Sequence, residues 1–204
     1  GHPIYHPIYR AAEELGLAIG IHIGSNGGMN PDSTAGGKVS LYAEMHPLWV
    51  QAIQTHATSF IMHGVFEKFP KLKLVLLEAG VSWVPGWLWH LDGDFKSLHR
   101  EVPWLKRLPS EYFRDHISLT SQPMEVSPKR NQLIEMIEMF EGQKCLMFST
   151  DFPHWDGDDV SFVASRLPRE WWPDIFAGNA ARLYGFTDVL EAIDAYAKAD
   201  GAAR

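Results

Sequence analysis

Apolar and polar positions alternate along the chain in a repeating order. Residues Pro7 to Leu15 place Ile8, Ala11, Ala12 and Leu15 at helical spacing, and Gly16 stops the helix. Leu17 to Gly24 is then a short, nearly continuous apolar run, the pattern of a strand buried on both faces in a parallel sheet. A loop rich in Gly, Asn, Ser and Pro runs from Ser25 to about Ser40, long enough to serve as a functional lid. The order then recurs: a helical stretch from Pro47 to Phe69 with a break near Thr58, a strand from Leu72 to Gly80, and a helix from Trp83 to Glu101 ended by Pro103. A strand from His116 to Ser121, an amphipathic helix from Lys129 to Phe140 and a strand from Lys144 to Thr150 come next. Helices over Asp159–Arg166, Arg169–Tyr184 and Asp188–Lys198 close the chain. Four strand–helix alternations predict a parallel α/β architecture in a single domain over residues 1–204, with 187–204 a closing helix and tail.

In parallel α/β folds, ligands bind where strands end, so the polar residues at those ends are the candidates for chemistry. The first strand ends in His22, with Ser25 just after it. The second ends in Glu78, the third in Thr120-Ser121-Gln122, and the fourth in Asp151, followed by His154 and Trp155. His22, Glu78 and Asp151 at equivalent positions on different strands converge on one rim, and all are metal-ligand or acid/base types. Each has a plainer reading. His22 can be a hydrogen-bonded core histidine and Asp151 a helix or loop cap, whereas a carboxylate straight after Val-Leu-Leu is costly to bury without a partner. His154 and His46 can reach the same mouth, with Trp155 and Ser25 as further substrate contacts. His56, His63, His90 and His99 read as surface or packing residues.

Composition narrows the classes. With 46% apolar and 21% charged residues the chain has a soluble globular balance, and a net charge of −7 argues against a nucleic-acid partner. The lone cysteine, Cys145, rules out a disulfide framework and a cysteine-based zinc site within one chain. The apolar runs are too short to cross a bilayer and no charged-then-apolar signal opens the chain, so it reads as cytoplasmic, with no membrane partner. The Gly24–Gly28 piece matches neither a phosphate loop nor a dinucleotide fingerprint.

Four segments, in order, carry a resemblance. They are Ile21-His22-Ile-Gly, the run from Gly64 through Glu78-Ala-Gly80 to Pro85, Phe148-Ser-Thr-Asp151-Phe-Pro-His154-Trp-Asp, and Gly178-Asn-Ala-Ala-Arg-Leu-Tyr-Gly185. Together they resemble the amidohydrolase-related proteins of the amidohydrolase superfamily, in the branch of the aminocarboxymuconate-semialdehyde decarboxylase-like enzymes. The resemblance implies a metal-dependent TIM (β/α)8 barrel, with His22 a metal ligand from the fifth strand. It makes Asp151 the aspartate after the eighth strand that contacts the metal and handles the reacting proton. Glu78 falls at the sixth-strand position where the decarboxylase relatives carry a histidine.

The paired histidine motif of the family's first strand is missing, and strand starts near Leu17, Lys73, His116 and Cys145 leave roughly forty residues per unit where a barrel needs about 200–250 in all. The chain is therefore expected to cover strands five to eight, with an N-terminal half missing or a homo-oligomer closing the edges. The expected function is metal-dependent hydrolysis of a small, possibly cyclic or aromatic, organic substrate through a metal-activated water. Zinc is the expected metal and manganese the other choice. Asp151, Glu78 and His154 are the expected catalytic residues and His22 and Asp151 the metal ligands. The alternatives are a metal-dependent non-oxidative decarboxylase of the same family and a non-catalytic half-barrel.

Overall fold

The computed structural model of the chain describes residues 1–22 and 37–202. A four-stranded, all-parallel sheet in the order β1-β2-β3-β4 forms its centre: β1 (Ala18–His22), β2 (Lys73–Leu77), β3 (Ile117–Thr120) and β4 (Leu146–Met147). Strand order equals chain order, with helices between strands, so each unit adds beside the last. This is the arc of a (β/α)8 barrel rather than a doubly wound sheet, whose order reverses at a switch point.

α1 (His6–Glu14) precedes β1, and between the strands run α2 (Tyr42–Met45), α3 (Trp49–Met62), α4 (Val65–Lys68), α5 (Val84–Leu98), α6 (Pro109–His116) and α7 (Arg130–Glu138). After β4 come α8 (Val160–Arg166), α9 (Asn179–Tyr184) and α10 (Thr187–Ala202).

The core lies between the sheet and α3 to α7. On β2, Leu74, Val75 and Leu76 are all buried, as a strand covered on both faces requires. Phe60, Phe66, Tyr112, Phe113 and Phe140 fill the layer beneath it.

Several expectations change on contact with the structure. The pattern predicts β1 buried on both faces, yet Gly20 and His22 are exposed and Ile19 and Ile21 only half-buried, because among the described strands β1 stands at the edge of the sheet, beside β2. Of the apolar positions that predict α1, Ala12 is buried in the core beside Tyr9, which packs against Phe60, while Ile8, Ala11 and Leu15 lie exposed. The break expected near Thr58 falls at Gly64, which sits at φ +67°, a conformation that suits glycine. Thr58 stays inside α3 and accepts a hydrogen bond from Trp87 Nε1 at 2.9 Å. The fourth strand shrinks to Leu146–Met147, because residues Gly142–Lys144 form a 3-10 turn and Phe148 N–H turns away to the Ile175 carbonyl. That carbonyl belongs to a π-helical turn, Asp174–Gly178, which interrupts the continuous helix expected from Arg169 to Tyr184. Helix α6 has no counterpart in the sequence reading. Pro109 opens it, and the Glu111 carboxylate folds back to accept the Leu108 N–H at 2.8 Å.

Two polar anchors, one buried and one half-buried, hold the carboxyl ends in place. Asn179 Nδ2 donates to the Gln143 and Leu146 carbonyls at 2.9 and 2.7 Å, tying α9 to β4. Asp158 Oδ2 accepts the Met124 N–H at 2.8 Å, tying the loop after β4 to the loop after β3, and burial pushes its carboxyl above the ordinary carboxylate range. Among the described residues no helix is long and apolar enough to cross a membrane.

Candidate active site

The parallel register sets the first contact. His22 is paired with Leu77 across β1 and β2, so the next residue, Glu78, leaves β2 level with the imidazole. Glu78 Oε1 lies 2.6 Å from His22 Nε2. A residue that followed the pleat would have an extended backbone, but Glu78 has φ +53° and its N–H is held by Thr120 Oγ1 at 3.1 Å. Asp151, after β4, has φ +51°. Left-handed backbone at non-glycine residues is uncommon and gathers at functional sites, because the surrounding structure must hold it there. Of the described non-glycine residues with positive φ, Glu78 and Asp151 sit at strand ends, and Glu141 is the cap of a turn.

The loop after Asp151 folds back on the site. His154 Nδ1 hydrogen-bonds Asp156 Oδ1 and lies 3.3 Å from Asp151 Oδ2. The other oxygen of Asp156, Oδ2, is 3.1 Å from His46 Nε2, so one carboxylate joins two histidines. The hydrogen bond to Asp156 is the main cause holding the His154 imidazole above its ordinary range, and the charges of Asp156, Asp151 and Glu78 add to it. Burial alone would raise the Asp156 carboxyl; the His154 hydrogen bond, its own backbone amide and the charges of His46 and His154 outweigh burial and leave it below its ordinary range. One ligand atom each from Asp151, His154 and Asp156 lies within 4.8 Å of the others. Asp151 Oδ2 is buried and makes no hydrogen bond. An acceptor buried without a donor costs about 1–3 kcal/mol unless a cation or substrate proton completes it.

A cavity of about 300 Å³ opens beside this cluster, with His46, Trp49, Trp83, Glu78 and Asp156 among its walls. At its rim the Tyr42–Leu48 stretch is pinned to the β4 loop. Trp155 Nε1 donates to Tyr42 Oη at 3.3 Å, and the His46 and Trp155 rings lie 5.2 Å apart. On the other side Glu125 accepts the Val81 and Ser82 amides at 2.9 and 3.0 Å and the Ser82 hydroxyl at 2.8 Å.

The structure thus joins His22 to Glu78 directly, and brings Asp151 beside His154. His46 lines the cavity rather than only starting a helix, and Trp155 stands at the rim, 69% exposed. Ser25 lies outside the described residues, as does most of the loop that contains it. The sequence reading misses Asp156, Tyr42, Trp49 and Glu125. Asp156 closes the very motif that contains Asp151 and His154, and that position was its available signal.

Strand-end carboxylates and histidines at the carboxyl ends of a parallel β/α arc are the arrangement of a (β/α)8 barrel of the amidohydrolase type. Residues 1–186 match the amidohydrolase family model, and the chain belongs to that family. It is 27% identical over 150 residues to a gamma-resorcylate decarboxylase of Polaromonas sp. (strain JS666 / ATCC BAA-500), a match covering 68% of this chain and 42% of the relative. Among solved structures it is similar to 5-carboxyvanillate decarboxylase from Sphingomonas paucimobilis, with 27% identity and a TM-score of 0.64 over 89% of this chain and 53% of the other. It also shares its fold with a dihydroxybenzoic acid decarboxylase from Polaromonas sp. JS666 solved with manganese and 2-nitroresorcinol, at 20% identity and a TM-score of 0.62 over 91% of this chain and 55% of the other. The chain therefore spans about half the length of these relatives.

Proposed function

We propose that this chain carries the strand-five-to-eight half of the active site of a metal-dependent carboxy-lyase that removes carbon dioxide from a hydroxylated aromatic acid. The observation that carries the reading is the buried Asp151 Oδ2, which accepts no hydrogen bond, 3.3 Å from a histidine held toward its charged form. The decarboxylase relatives support it over hydrolysis, the reading that the sequence puts first.

The residues present fit a divalent cation. Asp151 Oδ2 lacks a hydrogen-bond donor and His22 leaves the neighbouring rim, so these two would hold the ion, with other ligands, water or substrate completing its shell. When bound, the ion would supply Lewis-acid charge to the substrate's carboxylate and its adjacent oxygen. Manganese, present in the Polaromonas structure, and zinc both suit this donor set.

The chain's own groups do the rest. Glu78 braces the His22 imidazole and fixes its orientation. The Nδ1 proton of His154 lies between Asp156 and Asp151 and would pass to the Asp151 carboxylate at the oxygen that the ion leaves free. Asp151 delivers that proton to the ring carbon bearing the carboxylate. As the new C–H bond forms, the C–C bond breaks, its electron pair restores the ring, and carbon dioxide leaves.

Hydrolysis is the second reading, favoured by one feature: Glu78 paired with His22 is an acceptor, fit to take a proton from water. The test uses the full polypeptide that contains these residues, loaded with manganese or zinc. Carbon dioxide release from 2,6-dihydroxybenzoate or 5-carboxyvanillate, without turnover of lactones and amides, is the expected result. Hydrolysis without carbon dioxide release transfers the site to the second reading. Failure to take up stoichiometric metal makes the chain a non-catalytic half-barrel.

A further inference from the structure

The site stands on two separate groups of residues. Glu78 meets His22 at the ends of β2 and β1, and Asp151 stands with His154 and Asp156 after β4. The loop after β3 lies between the two groups and is tied to both sides. Toward β4, Gln122 N–H donates to Ser149 Oγ at 3.2 Å, Gln122 Nε2 to the Asp156 carbonyl at 3.3 Å, and Met124 N–H to Asp158 Oδ2 at 2.8 Å. Toward β2, Thr120 at the end of β3 takes the Glu78 N–H, and Glu125 takes the turn that follows Glu78.

The grip of Glu125 is specific. Its Oε1 accepts the Ser82 N–H and hydroxyl at 3.0 and 2.8 Å, and its Oε2 accepts the Val81 N–H at 2.9 Å. Hydrogen bonds to a carboxylate are among the strong ones. The turn depends on outside support of this kind. It carries Glu78 at φ +53°, a costly conformation for a residue with a side chain, and Gly80 at φ +59°. Trp83 ties the Ala79 carbonyl from within the turn, but it caps α5 without a side-chain hydrogen bond, so the Val81 and Ser82 amides are met from the loop after β3. Gly80 packs so closely on Glu125 that a methyl group there would lie 2.5 Å from Oε1. Turn and carboxylate therefore fit as one unit, with Glu78 at its near end.

We propose that Glu125 is a positioning residue: by clamping the Val81–Ser82 end of the turn after β2, it holds Glu78 against His22. The inference rests on reading His22 and Glu78 as part of the metal site proposed above.

The first measurement uses the metal-free full polypeptide. In ¹H–¹⁵N spectra of the histidine rings, the signals lost in His22→Gln and His154→Gln assign the two residues. Glu125→Ala should move the His22 signal in the direction in which Glu78→Gln moves it, and leave that of His154 in place. The second measurement is manganese binding by calorimetry. Glu125→Ala should weaken it about tenfold, and by less than about twofold where Glu78 is already glutamine. Two finer variants separate placement from charge, and stand in for Glu125→Ala if urea unfolding shows that it does not fold. Glu125→Gln keeps an oxygen for the Ser82 groups and should bind manganese close to the parent. Glu125→Asp keeps the charge one methylene short of the turn and should weaken binding and move the His22 signal. An unmoved His22 signal in a folded alanine or aspartate variant, or a full tenfold loss on top of Glu78→Gln, would overturn the inference. So would the reverse order, aspartate near the parent and glutamine weak, since Glu125 would then act through its charge. A moved His22 signal in a protein that takes up no manganese leaves the inference standing and removes the metal reading. Manganese uptake and carbon dioxide release with an unmoved signal do the reverse.

Discussion

Replacing Gly80 by alanine tests how the cavity wall is built. Gly80 sits at φ +59°, and a methyl group there would lie 2.5 Å from Glu125 Oε1. The left-handed conformation alone costs an alanine about 1–2 kcal/mol. The contact adds more, because Glu125 cannot retreat without loosening the amides of Val81 and Ser82 and the Ser82 hydroxyl. Losing one net hydrogen bond to a charged group costs about 1.5–3 kcal/mol, so the total comes to about 2.5–5 kcal/mol. Gly185 supplies the control. It has φ +75° and nothing within 4 Å of the position a methyl would take, so Gly185→Ala should cost only the conformational part, about 1–2 kcal/mol. Urea unfolding of the two variants, read as a change in midpoint at constant slope, separates the parts. In a Glu125→Ala background, Gly80→Ala should cost no more than Gly185→Ala. Equal destabilisation of the two glycine variants in the native background would refute the reasoning, since the carboxylate would then not be a fixed part of the wall.

Three further outcomes are expected. Asp151→Asn keeps a residue tolerant of left-handed backbone, so thermal unfolding should stay close to the parent while turnover of the metal-loaded full polypeptide falls by at least about a hundredfold. Asn179→Ala removes the donor to the Gln143 and Leu146 carbonyls, and urea unfolding should show a loss of about 2–3 kcal/mol. His116 is buried, stacked on Phe66 at 4.5 Å, with Nδ1 donating to the Leu72 carbonyl at 3.0 Å, and burial first of all holds it below its ordinary range. Its native pKa is depressed, so below about pH 6.5 the unfolded chain binds a proton that the native fold refuses, and stability falls with pH until the native pKa is passed. The loss of urea stability between about pH 8 and pH 5 should therefore be smaller in His116→Gln than in the parent.

The parts legible in the sequence are those set by short-range pattern. The apolar runs around Leu74 and Leu119 place the strands, and polarity at their ends leads to His22 and Glu78, which meet at 2.6 Å. The clamp around the cavity is not legible, because it depends on contacts between remote loops. Trp155 meets Tyr42 across 113 positions, and Asp156 meets His46 only once both loops are in place. The exposure of β1 and of Ile8 and Leu15 is hidden for another reason: an apolar run specifies that a surface seeks cover, not that a neighbour is present. Helix α6 is missed because its opening signals, Pro109 and Glu111, lie in the short gap between the helix stop at Pro103 and the strand start at His116.

The left-handed turns at Glu78 and Asp151 also decide how these positions can be probed. Alanine, the customary truncation, removes the carboxylate but keeps the awkward twist, so lost folding and lost chemistry become entangled. Glycine deletes the side chain while relaxing the main chain, making Glu78→Gly and Asp151→Gly the cleaner knockouts.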